Sequence, residues 1–327
     1  MANDTSTGYA SNWNVAPLNG NLITFSQVDY PFISRLSLPL KISNSDEIAM
    51  SSQYALETFA QPAITEAGST TAPTAVAYDR SGETNVMQIF QKAVNVTYAR
   101  QSAAGRLRFA EVSTSGYAYS SSPLVNPVSD ELAFQAAAAR EQLLGDLEVT
   151  LLSGTYQKAT SASVANKARG IISAVSTNTV NAASAQLEKS LINELLRGMA
   201  GNGAKFRRLV IFANAYQKQK LSDIYSFVPT DRNVGGSNIQ LIETDFGMAE
   251  VVFNRNVPAG TLLFADMASC YLVSQPVPGK SYMPDGLFFM EELAKTGASE
   301  KYQMYGQLSI DYGSEKFHGT ITSLATA

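Results

Sequence analysis

The chain has 327 residues, 45% of them hydrophobic and 16% charged, with a formal net charge of −4; this is enough apolar material for a core and too little charge for a disordered chain. The acidic balance excludes a protein whose main task is to grip phosphates, which would show a basic excess. One cysteine, Cys270, excludes an internal disulfide, and the most apolar stretch, Thr261 to Val273, is interrupted by Asp266 and falls short of the roughly 20 residues a membrane-spanning helix needs. The opening MANDTSTGYA lacks the basic and apolar regions of a secretory signal, so the expectation is a soluble chain made in a reducing compartment.

The first fifty residues mix Pro, Gly and Asn with short apolar runs and show neither a helical nor a clean strand period, which predicts an extended arm over residues 1–47. Two β-prone stretches follow, about Ile48 to Phe59 and Asn85 to Tyr98. The segment between them is rich in Gly, Pro, Ser and Thr and predicts a hairpin with a large polar tip. An isolated two-stranded hairpin is marginal in water and an arm without an apolar face has no core of its own, so both must lie on something else, such as another copy of the chain.

Proline then disappears between residues 128 and 228, which places the helices there. Ser129 can cap a helix, Asp130 and Glu131 suit its N-terminal end, and an apolar stripe follows at Leu132, Ala136, Ala139, Leu143, Leu147 and Leu151, with Gly154 as a stop. A helix from Ser129 to Ser153 would be roughly 37 Å long, long enough for a strut. A second helix is predicted from about Ser184, with Leu187, Leu191, Leu195 and Met199 on one face and an end at Gly201 to Gly203. Arg207 to Ala213 reads as a buried strand, Asn214 as the cap of a third helix through Leu221 and Ile224, and the last hundred residues as antiparallel strands. The class is α+β.

No candidate chemistry stands out. His318 is the one imidazole base, in a strand-like run that predicts a structural histidine. One Cys and one His cannot make a conventional zinc site. Gly198 to Lys205 departs from a phosphate-binding loop, because Phe206 stands where a magnesium-binding Ser or Thr belongs and the glycines end a helix rather than open one. Asp245-Phe246-Gly247 lacks the other kinase elements and reads as a turn. The carboxylate pairs Asp46-Glu47, Asp130-Glu131 and Glu291-Glu292 are sequence neighbours, which do not face each other on a helix or a strand. The expectation is no catalytic residue, no metal and no cofactor. A long strut, an unsupported hairpin and an arm without a site are the profile of a subunit built to interlock.

Six stretches resemble one family in its own order, over about residues 48 to 327. NVMQIFQKAVNV (Asn85 to Val96) resembles its N-Y-x-Q-I-F-R-K-x-V-x-V strand. DELAFQ (Asp130 to Gln135) and DLEVTLLSG (Asp146 to Gly154) resemble the two ends of its long helix, and ARGII (Ala168 to Ile172) the segment after it. TDFGMAEVVFNR (Thr244 to Arg255) is similar to S-D-F-G-x-V-E-V-V-P-N-R, and LAKTGASEKYQ (Leu293 to Gln303) with EKFHG (Glu315 to Gly319) to its ending. Phe253 and Ala298 depart from the pattern, and Leu107 to Asn126 reads as an insertion. The family is that of the major capsid proteins of tailed bacteriophages with the Hong Kong 97 capsid fold, in particular the branch of short-tailed phages with elongated heads.

The resemblance implies an N-terminal arm at 1–47, an extended loop at 48–103, a peripheral domain at 104–167 with a spine helix at 129–154, an axial domain near 168–290 and return strands at 291–327. It implies a non-enzymatic virion shell subunit, assembled in the host cytoplasm. Such subunits form pentamers and hexamers whose arm and loop lie on neighbouring subunits. The further partners it implies are a portal, scaffolding or decoration proteins, and packaged double-stranded DNA enclosed without sequence-specific binding; no membrane is involved. Two alternatives remain at this stage: a cargo-enclosing nanocompartment of the same fold, and an enzyme with a carboxylate or metal site assembled across the fold.

Overall fold

The structure, a computed structural model, describes residues 29–50, 53–54, 56, 59–78, 80–103, 130–225, 239–295 and 297–326. The chain divides into two units. Of the described residues, one comprises those of 91–143 and 290–304, the other those of 29–90, 144–289 and 305–326. The first half contains β1 (Ser37–Ile42), β2 (Glu47–Ala49), β3 (Gln53–Tyr54), α1 (Glu66–Ser69), β4 (Arg80–Ser81), β5 (Thr84–Val86), β6 (Gln88–Thr97), α2 (Tyr98–Ala103) and α3 (Glu131–Ser153). The second half contains α4 (Ile171–Ala174), β7 (Thr179–Asn181), α5 (Lys189–Gly201), β8 (Leu209–Ala213), α6 (Ala215–Tyr225), β9 (Leu241–Thr244), β10 (Gly247–Phe253), β11 (Leu262–Asp266), β12 (Tyr271–Ser274), β13 (Phe289–Glu292), β14 (Ser299–Asp311) and β15 (Gly319–Thr322).

The larger sheet has the order β7-β15-β11-β8-β10-β9. Its central strand β8 is buried at every residue, as expected of an apolar run covered on both faces. The α5 side chains Ile192, Leu195, Leu196 and Met199 share one buried cluster with Leu209, Ile211, Phe264 and Ile321. At about 1.5–3 kcal/mol per buried aliphatic side chain, those four α5 residues contribute roughly 6–12 kcal/mol, an upper bound because the unfolded chain is itself partly compact. Asn214 caps α6 as expected, its Oδ1 accepting the Gln217 N–H at 2.9 Å. The sheet is not purely antiparallel: β10 runs parallel to β8, because α6 and β9 intervene and bring the chain back to the end from which β8 started.

The helix α5 begins later than its apolar periodicity predicts. Ala183 and Ser184 adopt left-handed φ of 49° and 65°, which no right-handed helix can include, and the first helical residue is Lys189. The long helix α3 fits its prediction to within two residues at each end. Asp130 Oδ1 accepts the N–H groups of Leu132 and Ala133, while Ser129 lies outside the described residues. Leu143, Leu147 and Leu151 are buried, and Leu144 and Leu152 widen the apolar stripe.

The second sheet runs β1-β12-β14-β13, with β6 also paired to β14. From Asp29 onward the expected arm has a core within its own chain, contrary to the sequence expectation. Phe32 is fully buried and meets Phe212 edge-on at 5.3 Å, and β1 pairs in parallel with β12. Contacts with residues distant in sequence anchor this stretch where no period does: the Phe32 ring pair, the ion pairs of Arg35 with Glu250 and Lys41 with Asp311, and the Glu148 carboxylate, which accepts the N–H groups of Phe32 and Ile33 at 2.8 and 2.9 Å. The part of the arm ahead of Asp29 lies outside the described residues. The expected segments 168–290 and 291–327 also exchange strands, since β12 pairs with β14 and β15 enters the larger sheet between β7 and β11.

After α3 the chain turns at Gly154 and crosses itself at Gly170. A Cβ on Gly170 would stand 2.5 Å from the Gly154 nitrogen and 2.7 Å from the Leu152 carbonyl, so glycine is required by the approach of two backbones. Gly170→Ala should cost about 1–3 kcal/mol by overpacking, read as a lower urea midpoint. Gly198, in an exposed stretch of α5 with nothing within 4 Å of an added Cβ, is the control: Gly198→Ala should be neutral or stabilise by up to about 1 kcal/mol. Equal urea midpoints for the two variants would contradict the crossing.

Candidate assembly surfaces

The hairpin is rooted by two short antiparallel ladders, β2 with β5 and β3 with β4. The long returning strand β6 goes on to pair with β14 instead. Asn85 at the root is fully buried and uses its whole amide. Its Nδ2 donates to the Arg169 and Ile310 carbonyls, both at 3.1 Å, and its Oδ1 accepts the N–H groups of Val86 at 2.9 Å and Arg169 at 2.8 Å. Gln88 Oε1 accepts the Ala168 N–H at 2.9 Å, and the Tyr312 hydroxyl donates to Glu83 at 3.1 Å. Burial pushes the Glu83 carboxyl up, and burial with that carboxylate beside it pushes the Tyr312 phenol up. At the surface Lys158 bonds Glu47, which lowers the carboxyl and raises the ammonium.

Beyond the root the character reverses. Every described residue from Leu56 to Tyr78 is exposed, including Phe59 at 89% and Ile64 at 74%. The local order there is the single turn of α1, capped by Thr65. Apolar side chains held in water without a core of their own mark a surface made to be covered. The edge strand β1 adds Leu38 and Ile42, exposed at 86% and 75%.

The residues singled out for chemistry do not converge. His318 is fully buried: its Nδ1 accepts the Asp266 N–H at 3.2 Å, so Nε2 carries the proton and donates to the Tyr312 carbonyl at 2.7 Å. Burial lowers its pKa. Burial likewise raises the Cys270 thiol well above its usual range, leaving it a protonated, unreactive core residue. Asp245 and Phe246 form the turn between β9 and β10, and Gly201 to Gly203 end α5. The carboxylate pairs separate by role: Glu47 meets Lys158, Asp130 caps α3, and Glu292 meets Lys295. Among the described residues no three His, Cys, Asp or Glu side chains gather to hold a metal. Sequence reasoning missed Asn85, Glu83 and Glu148; the signal for Asn85 and Glu148 was a polar residue set in an apolar strand or stripe, whereas Glu83, in the polar run ahead of β5, carried none.

A family model described as the SU10 major capsid protein matches residues 4–325. The chain belongs to that family. No curated protein sequence matches it. Among solved structures it is similar to the capsid asymmetric unit of cyanophage A-1(L), with 12% identity, 99% of each chain covered and a TM-score of 0.68. It is similar to the capsid protein of a native GTA particle, with 9% identity, 99% of this chain and 100% of the other covered and a TM-score of 0.62. It also resembles the SrpI encapsulin of Synechococcus elongatus PCC 7942, with 11% identity, 96% and 93% covered and a TM-score of 0.54. At such identities the likeness shows the fold, which is the Hong Kong 97 type expected from the sequence. The capsid protein is thus a self-associating shell subunit whose place is the virion capsid.

Two measurements test this geometry. Asn85→Ala leaves buried backbone donors and acceptors of Arg169, Ile310 and Val86 unpaired, which should cost about 3 kcal/mol; hydrogen exchange at the Val86 and Arg169 amides should speed up, and unchanged exchange would refute the root. His318 folds neutral with a pKa below its ordinary 6.5. The unfolded chain therefore takes up a proton first as the pH falls, and stability present above pH 6.5 is lost on the way down to the folded value, by up to about 1.4 kcal/mol per pH unit. The slope should flatten in His318→Gln whatever that variant's baseline stability; an unchanged slope would place the acid sensitivity elsewhere.

Proposed function

We propose that this capsid protein forms pentamers and hexamers that close into an icosahedral or elongated phage head around double-stranded DNA, without enzymatic activity, metal or cofactor, and that it assembles in the host cytoplasm. Its N-terminal arm and the hairpin of residues 48–103 engage neighbouring copies. The peripheral domain at 104–167, the axial domain near 168–290 and the return strands at 291–327 supply the body of the tile. Further partners are a portal, with scaffolding or decoration proteins, and DNA held without sequence-specific contacts.

The observation that carries this reading is the contrast within the hairpin. Its root is locked by Asn85, Gln88 and Glu83, whereas Phe59, Ile64, Val76 and Tyr78 beyond it are exposed. A tip with no burial of its own, carried on a fixed base, gains by covering a neighbour. Identical copies can repeat that contact around a closed surface.

Replacing residues 60–76 with a short Gly-Ser turn leaves β2 to β5 and the root intact. The variant should unfold in urea at the wild-type midpoint and give no closed shells by negative-stain electron microscopy. Normal shells from it would show that the tip is not an assembly element.

A further inference from the structure

The larger sheet has one rim at which β8, β15 and β7 begin and β11 ends, as fixed by the pairs Asp266 with Leu209, Phe264 with Gly319 and Thr320 with Thr179. Four exposed cations stand on it: Lys205, Arg207 and Arg208 ahead of β8, and Lys316 ahead of β15. Local contacts hold them at the rim. Lys205 Nζ lies 5.6 Å from the centre of the Phe317 ring, and the Arg208 carbonyl accepts the Met267 N–H at 2.9 Å. The Lys316 carbonyl accepts from Asn178 Nδ2 at 2.8 Å, and Asn202 at the end of α5 donates to Asn178 Oδ1 at 2.7 Å.

Two carboxylates share this rim, and both turn inward. Asp266, 2% exposed, accepts the N–H groups of Arg207, Arg208 and Ala268 at 3.0–3.2 Å. Glu315, 7% exposed, accepts the N–H groups of Ser176 and Thr177, each at 3.0 Å, together with their hydroxyls. None of the four cations forms an ion pair with a described residue. In a chain of net charge −4, the part of this rim along β7, β15, β11 and β8 presents basic groups outward and turns Asp266 and Glu315 inside, while the exposed acids Glu243 and Asp245 stand on the β9–β10 flank. The flank ends at exposed Asp245 and at Phe246, which stacks on Phe206.

We propose that this rim contacts the phosphate backbone of double-stranded DNA, an inference that rests on the reading of the shell as a DNA container. Four strands about 4.8 Å apart make a rim of roughly 14 Å. A duplex carries one charge per roughly 1.7 Å of its axis with both strands counted, so that length contains about eight phosphates, and the roughly half of them turned toward the rim are enough to meet four cations. An interface between copies needs an apolar centre, and the exposed large apolar side chains here, Phe246 and Met248, stand at one flank, away from Lys316 ahead of β15. The contact is electrostatic and indifferent to sequence, and the acidic chain around it keeps it weak and salt-sensitive, so that enclosed DNA stays free to move.

The test is fluorescence anisotropy of a short labelled DNA duplex with the full-length chain, from about 50 to 200 mM salt. Four phosphate contacts predict a log–log salt slope of about −3.6 and roughly 150-fold weaker binding across that range. The variant Lys205→Gln, Arg207→Gln, Arg208→Gln, Lys316→Gln should flatten the slope by about 3–4, and each single substitution by about 1. An unchanged slope overturns the proposal. So does loss of binding to polyglutamate with DNA binding intact, which would make the rim a site for an acidic protein segment. Negative-stain images of the same samples separate the two readings: shells from both proteins leave the capsid reading standing whatever the DNA result, and loss of shells in the variant with DNA binding unchanged overturns the rim proposal in favour of a contact between copies.

Discussion

Asn85 places all four hydrogen-bonding positions of its amide on backbone groups from three distant parts of the chain: its own strand, the turn at Arg169 and the end of β14 at Ile310. A buried amide that is fully satisfied holds its partners in one arrangement, because any displacement leaves a desolvated donor or acceptor unpaired. The root of the hairpin, the crossing at Gly154 and Gly170, and the approach to Tyr312 and His318 are therefore set together. The hairpin leaves the body at a defined point even though its tip has no packing of its own.

Charge is used in a consistent way around that frame. The chain is poor in ionisable residues, yet four carboxylates are buried among the described residues: Glu148, Asp266, Asp311 and Glu315. Asp311 accepts from the Gly313 N–H and Lys41, and each of the other three accepts N–H groups from two consecutive residues, Phe32 with Ile33, Arg207 with Arg208, and Ser176 with Thr177. Hydrogen bonds to a charged acceptor contribute about 1.5–3 kcal/mol each, and here they fasten segments that leave regular structure. For Glu148 burial outweighs the donors and raises the carboxyl, whereas for Glu315 burial is overcome by the Thr177 and Ser176 donors and the carboxyl falls. Acids spent in this way do not appear on the surface, which is why a chain of negative net charge can show a basic rim.

Much of this was legible wherever one periodicity decided the outcome. The apolar stripe of α3, the buried run of β8, the Asn214 cap and the turn at Asp245 and Phe246 all follow from residue type at fixed spacing. What failed depended on contacts distant in sequence. The late start of α5 is set by the left-handed Ala183 and Ser184, the parallel pairing of β10 by where α6 and β9 return the chain, and the docking of residues 29–42 by Phe32 and the remote Glu148. Asn85 opens the NVMQIFQKAVNV stretch, but hydropathy reads a buried asparagine as a loop residue. The thirty Tyr and Phe residues could not be divided between core and surface by composition; the structure buries Phe32, Phe212 and Phe264 and exposes Phe59 and Tyr78.

The division between a fixed root and an uncovered tip also bears on how strong each contact between copies must be. Ordering a free loop on a partner costs about 0.5–1.5 kcal/mol per immobilised long side chain, in addition to the cost of bringing two bodies together. A root already ordered by Asn85 and Gln88 removes part of that cost before any contact forms, and the cost left is that of ordering the tip. Under the proposed reading, in which the tip covers a neighbour, each copy's contact can then be modest, reversible enough for misplaced subunits to leave, and still accumulate strength once the surface closes. A tip stabilised within its own subunit would fold more securely alone and have less to gain from a neighbour, so under that reading the exposure of Phe59 and Ile64 is a loss to the isolated chain that closure would recover.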